Sequence, residues 1–181
     1  MEASGRRIAI LVEDDFEDVE LTEPMEALKK AGVEMTIVGS GSKKTYRGKR
    51  GRATIDAETT ADKVDLDEFD AVLIPGGYAP DKMRLYQPMI DLVSRAFRMG
   101  KIVAAVCHGP QLLISADVVR GRRVTSWPSV AIDLKNAGAE FVDRPVVKDD
   151  NLITSRMPGD LPEFSAAIIE ELKKVKEKAR S

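Results

Sequence analysis

The chain has 181 residues, 43% of them hydrophobic and 32% charged, with a formal net charge of -2. That length suits one domain over residues 1–181 with room for a sizeable core, and the balanced charge excludes the basic excess of a dedicated nucleic-acid binder. A single cysteine and a single histidine exclude an internal disulfide and a multi-histidine zinc site, so neither a metal nor a cofactor is expected.

The opening MEASGRR carries no apolar segment, and no run approaches the roughly 18 apolar residues of a membrane span, so a cytoplasmic protein is expected. Residues 6–12, RRIAILV, form a short apolar run rich in β-branched residues and predict a buried strand. The acidic EDDFEDVE that follows suits a helix N-terminus. Helical periodicity runs through Val19, Met25 and Leu28 to a stop at Gly32, with Pro24 either kinking the helix or sitting in its first turn. Residues 33–39 predict a second strand.

Residues 40–58 are polar and punctuated by glycine, and predict a hairpin. Their basic cluster (Lys43, Lys44, Arg47, Lys49, Arg50, Arg52) reads as a solvated face or a polyanion site. With no aromatic interleaved beyond Tyr46, the solvated face is the expectation. Residues 69–77, FDAVLIPGG, predict a strand ending in a tight turn, followed by a helix over 81–99 closed by Gly100. Residues 101–107 predict another strand and 109–119 a helix with Pro110 in its first turn. A helix over 129–138, two short strands around a KDDN turn in 146–155, and a C-terminal helix from about 161 with a fraying basic end complete the pattern. Apolar strands alternating with helices imply an α/β fold with an open, mostly parallel sheet covered on both faces. Ligands in such folds sit outside the carboxyl ends of the strands.

Cys107 and His108 lie at such an end, in AVCHGP. Ala105 and Gly109 flank the cysteine as small residues flank a nucleophile elbow, where bulkier neighbours would clash. A thiol at a helix N-terminus is expected to ionise readily. The His108 N–H and the Gly76–Gly77 turn offer the arms of an oxyanion hole. The alternative is a structural buried cysteine. His108 serves either as general base, which needs a carboxylate to orient it, or as pocket wall.

DDFEDVELTEP, FDAVLIPGGYAPDKMR, AAVCHGPQLLISADVVRGRRVTSWPS, NAGAEFVD and TSRMPGDLPEF occur in this order along the chain. On these blocks the chain resembles the ThiJ/PfpI family of the class-I glutamine-amidotransferase-like superfamily. The resemblance implies a flavodoxin-like three-layer α/β/α sandwich and a homo-oligomer built on dimers, in some members a hexamer. It implies Cys107 as nucleophile and Glu20 as a buried carboxyl group that helps hold the thiolate, a role Glu17, one turn earlier, could share. Asp81 stands where peptidase members carry a glutamate that reaches histidine from a neighbouring subunit; as an aspartate it is one methylene shorter and equally suits a helix cap. Trp127 matches an aromatic near the pocket or belongs to the core. The activity expected on this resemblance is a cysteine-dependent deglycase or glyoxalase acting on reactive aldehydes or their protein adducts. The rivals are a peptidase with a Cys107–His108–Asp81 triad completed across subunits, and a redox sensor or chaperone using the same sulfur.

Overall fold

The computed structural model describes residues 3–175. Eleven strands are named in chain order: β1 (Arg7–Val12), β2 (Glu34–Gly39), β3 (Thr45–Arg47), β4 (Thr54–Asp56), β5 (Thr59–Thr60), β6 (Ala71–Ile74), β7 (Ile102–Val106), β8 (Arg123–Val124), β9 (Glu140–Phe141), β10 (Val146–Asp149) and β11 (Leu152–Ser155). The helices are α1 (Asp18–Lys30), α2 (Ala79–Met83), α3 (Gln87–Arg98), α4 (Pro110–Ser115), α5 (Ala131–Asn136) and α6 (Leu161–Lys174). Seven strands form the central sheet in the order β10-β11-β7-β6-β1-β2-β5, all parallel except for the edge strand β10.

The sequence explains the layering. The strands at the centre of the sheet are apolar throughout, and β6 and β7 are buried at every residue, as a sheet covered on both faces requires. Helix α3 buries Met89, Leu92, Val93 and Ala96, spaced as one face of a helix, and packs on β6 and β7. Helix α6 buries Leu161, Phe164, Ile168 and Leu172 in the same manner and packs on β7, β11 and α1. The result is the expected three-layer α/β/α sandwich. Among the described residues no helix is long and apolar enough to cross a membrane.

Three local expectations change. The helix expected over 81–99 is two helices, α2 and α3, with the break at Arg84–Tyr86. Pro88 accounts for it: in a continuous helix its ring would meet the carbonyl of Arg84, and it has no N–H to donate there. The helix expected over 109–119 ends at Ser115, because the chain turns at Asp117 with a φ of 56°. The helix expected over 129–138 begins as a 3-10 turn and is helical only at Ala131–Asn136. Pro24 lies inside α1, which continues past it to Lys30. The fraying basic end expected over 171–181 is still helical to Lys174, and its remainder falls largely outside the described residues.

Strand order reverses direction at β1. Chain-consecutive β2 lies on one side of it, and β6, β7 and β11 follow on the other. The carboxyl ends of β1, β6 and β7 therefore stand side by side at a topological switch point, where a crevice forms between the diverging connections. Each end delivers one part of the site described next.

Candidate active site

Strand β7 passes into α4 through Cys107, which has a φ of 63°. A side chain in this left-handed region is strained by about 1 kcal/mol or more and persists only where its surroundings impose it. They do so here. The Cys107 N–H donates to the Ser155 carbonyl at 3.0 Å, and its own carbonyl accepts from the Trp127 N–H at 2.9 Å. Gly109 must be glycine, since a Cβ there would lie 2.7 Å from the Ile74 carbonyl oxygen and 2.9 Å from that of Val106. The tight turn read from AVCHGP is present.

Glu20, in the first turn of α1, is completely buried. Its Oε1 accepts from the Gly76 N–H at 2.9 Å. Its Oε2 is buried and has no hydrogen-bond partner among the described residues; the carboxyl group and the Cys107 thiol interact. Burial first, and then the negative charge of Glu17, push Glu20 up to about 8, against the opposing pull of Cys107 and the Gly76 N–H. At neutral pH this carboxyl group is mostly protonated.

The thiol does not behave as expected. Burial first, and then the charge of Glu20 and its hydrogen bond, push the Cys107 thiol upward, while the His108 backbone N–H and Lys49 favour the charged sulfur. Cys107 is 7% exposed. The helix expected to acidify it, α4, has only six residues, and its dipole is correspondingly small. A neutral Glu20 weakens the opposition: it adds no repulsion and can donate to the anion, leaving burial as the main cost. The pair therefore holds one proton far more readily than none.

His108 Nδ1 lies 3.4 Å from Cys107 Sγ. In the tautomer protonated on Nε2, Nδ1 can accept from the thiol. Burial, and next the charge of Lys49, push the imidazole down, which keeps it neutral at physiological pH. Its ring stacks against Trp127, with centroids 6.2 Å apart and planes inclined by 24°. Trp127 is 38% exposed, a wall of the site rather than part of the core.

The remaining expected residues divide. The Gly76 N–H is consumed by Glu20 and is not free to bind an oxyanion; the Gly77 N–H makes no hydrogen bond among the described residues. Asp81 is exposed on α2 and makes no hydrogen bond or ion pair with His108 among the described residues, so a Cys–His–Asp triad is not complete within them. Glu17 is not a second partner of the thiol. It pairs with Lys49 at 2.8 Å and Arg50 at 2.6 Å, whose hydrogen bonds outweigh its burial and hold its carboxyl below the usual range.

Those two cations are what the sequence reading missed. The 40–58 hairpin exists, as β3 paired with β4, but its tip is not a free solvated face. It lies against the acidic run after β1. The Asp18 carboxylate accepts from the N–H groups of Arg50, Arg52 and Ala53 at 2.8–2.9 Å, Lys43 pairs with Asp14, and Tyr46 is fully buried. The available signal was complementarity: EDDFEDVE over 13–20 faces a hairpin carrying Arg47, Lys49, Arg50 and Arg52.

The comparisons with known proteins place the chain in a family. The profile of the DJ-1/PfpI family matches residues 6–171. The chain belongs to the DJ-1/PfpI family. Within it, the chain is 47% identical over 162 residues to the Escherichia coli (strain K12) protein named Protein/nucleic acid deglycase 2, covering 89% of this chain and 94% of that one. It is 42% identical to General stress protein 18 of Bacillus subtilis (strain 168), covering 94% and 99%. Among solved structures, a two-domain protein with DJ-1/ThiJ/PfpI-like and ferritin-like domains from Anabaena variabilis ATCC 29413 superposes with a TM-score of 0.91 at 45% identity. That match covers 97% of this chain and 52% of the other.

Glycine at position 76 yields a prediction specific to this site. A Cβ there would collide with Glu20 Oε1 and approach Cys107 Cβ to 3.0 Å and the Val106 carbonyl oxygen to 2.9 Å. Gly76→Ala is expected to displace Glu20 from the sulfur, lower Tm by several degrees, and reduce turnover about a hundredfold, since misplaced catalytic groups carry costs of that order. Thermal melts and steady-state kinetics on the same preparation check both effects.

Proposed function

We propose that this protein is a deglycase of the DJ-1/PfpI type, using Cys107 as nucleophile on small dicarbonyls such as methylglyoxal or on their early adducts with amines and thiols. The observation that carries the reading is a cysteine held at positive φ, at the carboxyl end of a central strand, with a buried carboxyl group against its sulfur. The deglycase named among its relatives supports it.

The Cys107 thiol first passes its proton to the ionised form of Glu20, leaving the sulfur anion beside a neutral carboxyl group. Sulfur then adds to the aldehyde carbon, or displaces the amine from the carbinol carbon of an adduct, forming a C–S bond. With free aldehyde, the carbonyl oxygen takes a proton from neutral Glu20; with an adduct, the leaving amine takes it. The hemithioacetal then isomerises. Neutral His108 removes the proton from the carbon bearing sulfur, the neighbouring ketone becomes an enediol, and reprotonation leaves a thioester. One carbon is oxidised and its neighbour reduced, so no outside oxidant is needed. Water cleaves the thioester to a hydroxy acid and returns the thiol. Burial raises Glu20 into the range where it can donate and reaccept this proton near neutral pH.

A parallel assay on methylglyoxal, a methylglyoxal-treated peptide and a fluorogenic peptide amide tests the proposal. Catalytic release of hydroxy acid and recovery of free amine are expected, with Asp81→Asn leaving both intact. Peptide cleavage without aldehyde consumption, abolished by Asp81→Asn, would instead establish the inter-subunit triad. A single covalent event per chain would establish a sensor.

A further inference from the structure

The left-handed backbone of Cys107 is held from both sides. Its N–H donates to the Ser155 carbonyl at 3.0 Å, and its carbonyl accepts from the Trp127 N–H at 2.9 Å. Ser155 ends β11, a strand of the central sheet. Trp127 follows β8, which pairs with β9 in a separate small sheet and shares no ladder with the central one among the described residues. Strand pairing therefore does not fix the distance between the two segments that hold the cysteine.

The side chain of Thr154 does. Its Oγ1 accepts from the Thr125 N–H at 2.9 Å and lies 3.4 Å from the Val147 carbonyl oxygen, to which it can donate. With its hydrogen turned to Val147, the oxygen keeps a lone pair for Thr125. Thr154 is fully buried, so solvent is not at hand to replace either bond. The result is a closed ring that runs from Cys107 to Ser155 and Thr154, across to Thr125, along Ser126 to Trp127, and back to Cys107. Two of its three hydrogen bonds join backbone to backbone; the third is made by the threonine hydroxyl. Asp149 Oδ2 fastens the start of β8, through the Arg123 N–H at 2.8 Å, and Thr154 fastens the end that leads to Trp127.

We infer that Thr154 is a positioning residue for Cys107: its buried hydroxyl ties the 125–127 segment to β11 and so closes the ring that keeps the cysteine left-handed, with its sulfur 3.4 Å from His108 Nδ1. Without that hydroxyl the Thr125 N–H is buried and unpaired, a cost the segment escapes by moving away from β11. The Trp127 N–H moves with it, the Cys107 carbonyl loses its partner, and the peptide relaxes toward the negative φ that residues with a Cβ prefer.

The inference rests on Cys107 being the nucleophile proposed above, but its first readout needs no substrate. Hydrogen exchange at the Cys107 and Trp127 amides reports on the ring itself. Thr154→Val keeps the shape and removes the hydroxyl. It is expected to speed exchange at these two amides about tenfold or more beyond any change at the β6 amides, which report on global stability. Thr154→Ser keeps the hydroxyl and removes the methyl, and should retain the protection even if Tm falls. Methylglyoxal turnover is the second readout: kcat is expected to fall about tenfold in Thr154→Val with KM little changed, and to recover in Thr154→Ser. Exchange that rises equally at β6 and at the ring, or protection that serine does not restore, would overturn the inference and reduce Thr154 to a core residue. Lost protection with an unchanged kcat would overturn it as well. A wild type that releases no hydroxy acid would refute the deglycase reading, while the exchange pattern would still decide whether Thr154 holds the cysteine.

Discussion

Replacing Cys107 by alanine is expected to abolish aldehyde turnover, by at least about a thousandfold, while leaving the protein folded. Removal of a covalent nucleophile has consequences of that size when no other group can form the intermediate. Here none can, because there is no second cysteine. Folding should survive because the backbone bonds that shape the turn, from Cys107 N–H to Ser155 and from Trp127 N–H to Cys107, do not involve the sulfur. The loss of a small, nearly buried side-chain atom costs on the order of 1 kcal/mol or less in packing. Alanine also removes the sulfur with which the Glu20 carboxyl group interacts. Far-UV circular dichroism and urea melts, read with the turnover assay, separate loss of chemistry from loss of structure.

The second large effect belongs to Glu20. In the native protein its pKa lies near 8, against an ordinary value of 4.5. Between those values the folded state binds a proton that the unfolded state releases. Its contribution to stability is therefore fully present below about pH 4.5 and is lost as pH rises through about 8. Glu20→Gln keeps the oxygen that accepts from the Gly76 N–H and carries no charge at any pH. The variant should match the wild type in stability near pH 4.5 and exceed it above pH 8, by an amount on the order of a few kcal/mol. Urea melts at both pH values check this. Activity should move the other way: an amide cannot pass a proton, so turnover falls about a hundredfold or more, within the usual range for loss of a general acid. In the wild type, activity should also decline above pH 8 as Glu20 ionises and repels the sulfur anion.

Much of the architecture was legible because its causes are local. An apolar run such as AVLI at 71–74 or IVAAV at 102–106 has nowhere to go but the centre of a covered sheet. Ala105, Gly109 and Pro110 around Cys107 announce a sharp strand-to-helix turn, and the turn is there. The break between α2 and α3 was legible too, had Pro88 been set against the carbonyl four residues before it.

What could not be read depended on tertiary placement. The acidity of Cys107 was inferred from the dipole of the following helix. The length of that helix is set by a turn at Asp117, and the burial that opposes ionisation comes from packing on the sulfur. The approach of the hairpin to residues 13–20 is likewise a product of folding. Complementary charge allows the two segments to meet but does not say which cation faces which carboxylate. It is that pairing, Lys49 and Arg50 on Glu17, that occupies Glu17 and leaves Glu20 as the carboxyl group we propose as proton carrier.

The central claim is that the substrate is bound covalently to sulfur while Glu20 manages the proton. Acid quenching during turnover of methylglyoxal, followed by mass spectrometry of the peptide that contains Cys107, tests it most directly. A mass increase equal to one methylglyoxal on that peptide is predicted, present in Glu20→Gln and absent from Cys107→Ala. Full turnover with the sulfur already alkylated, or an adduct found only on lysine or arginine side chains, would contradict it.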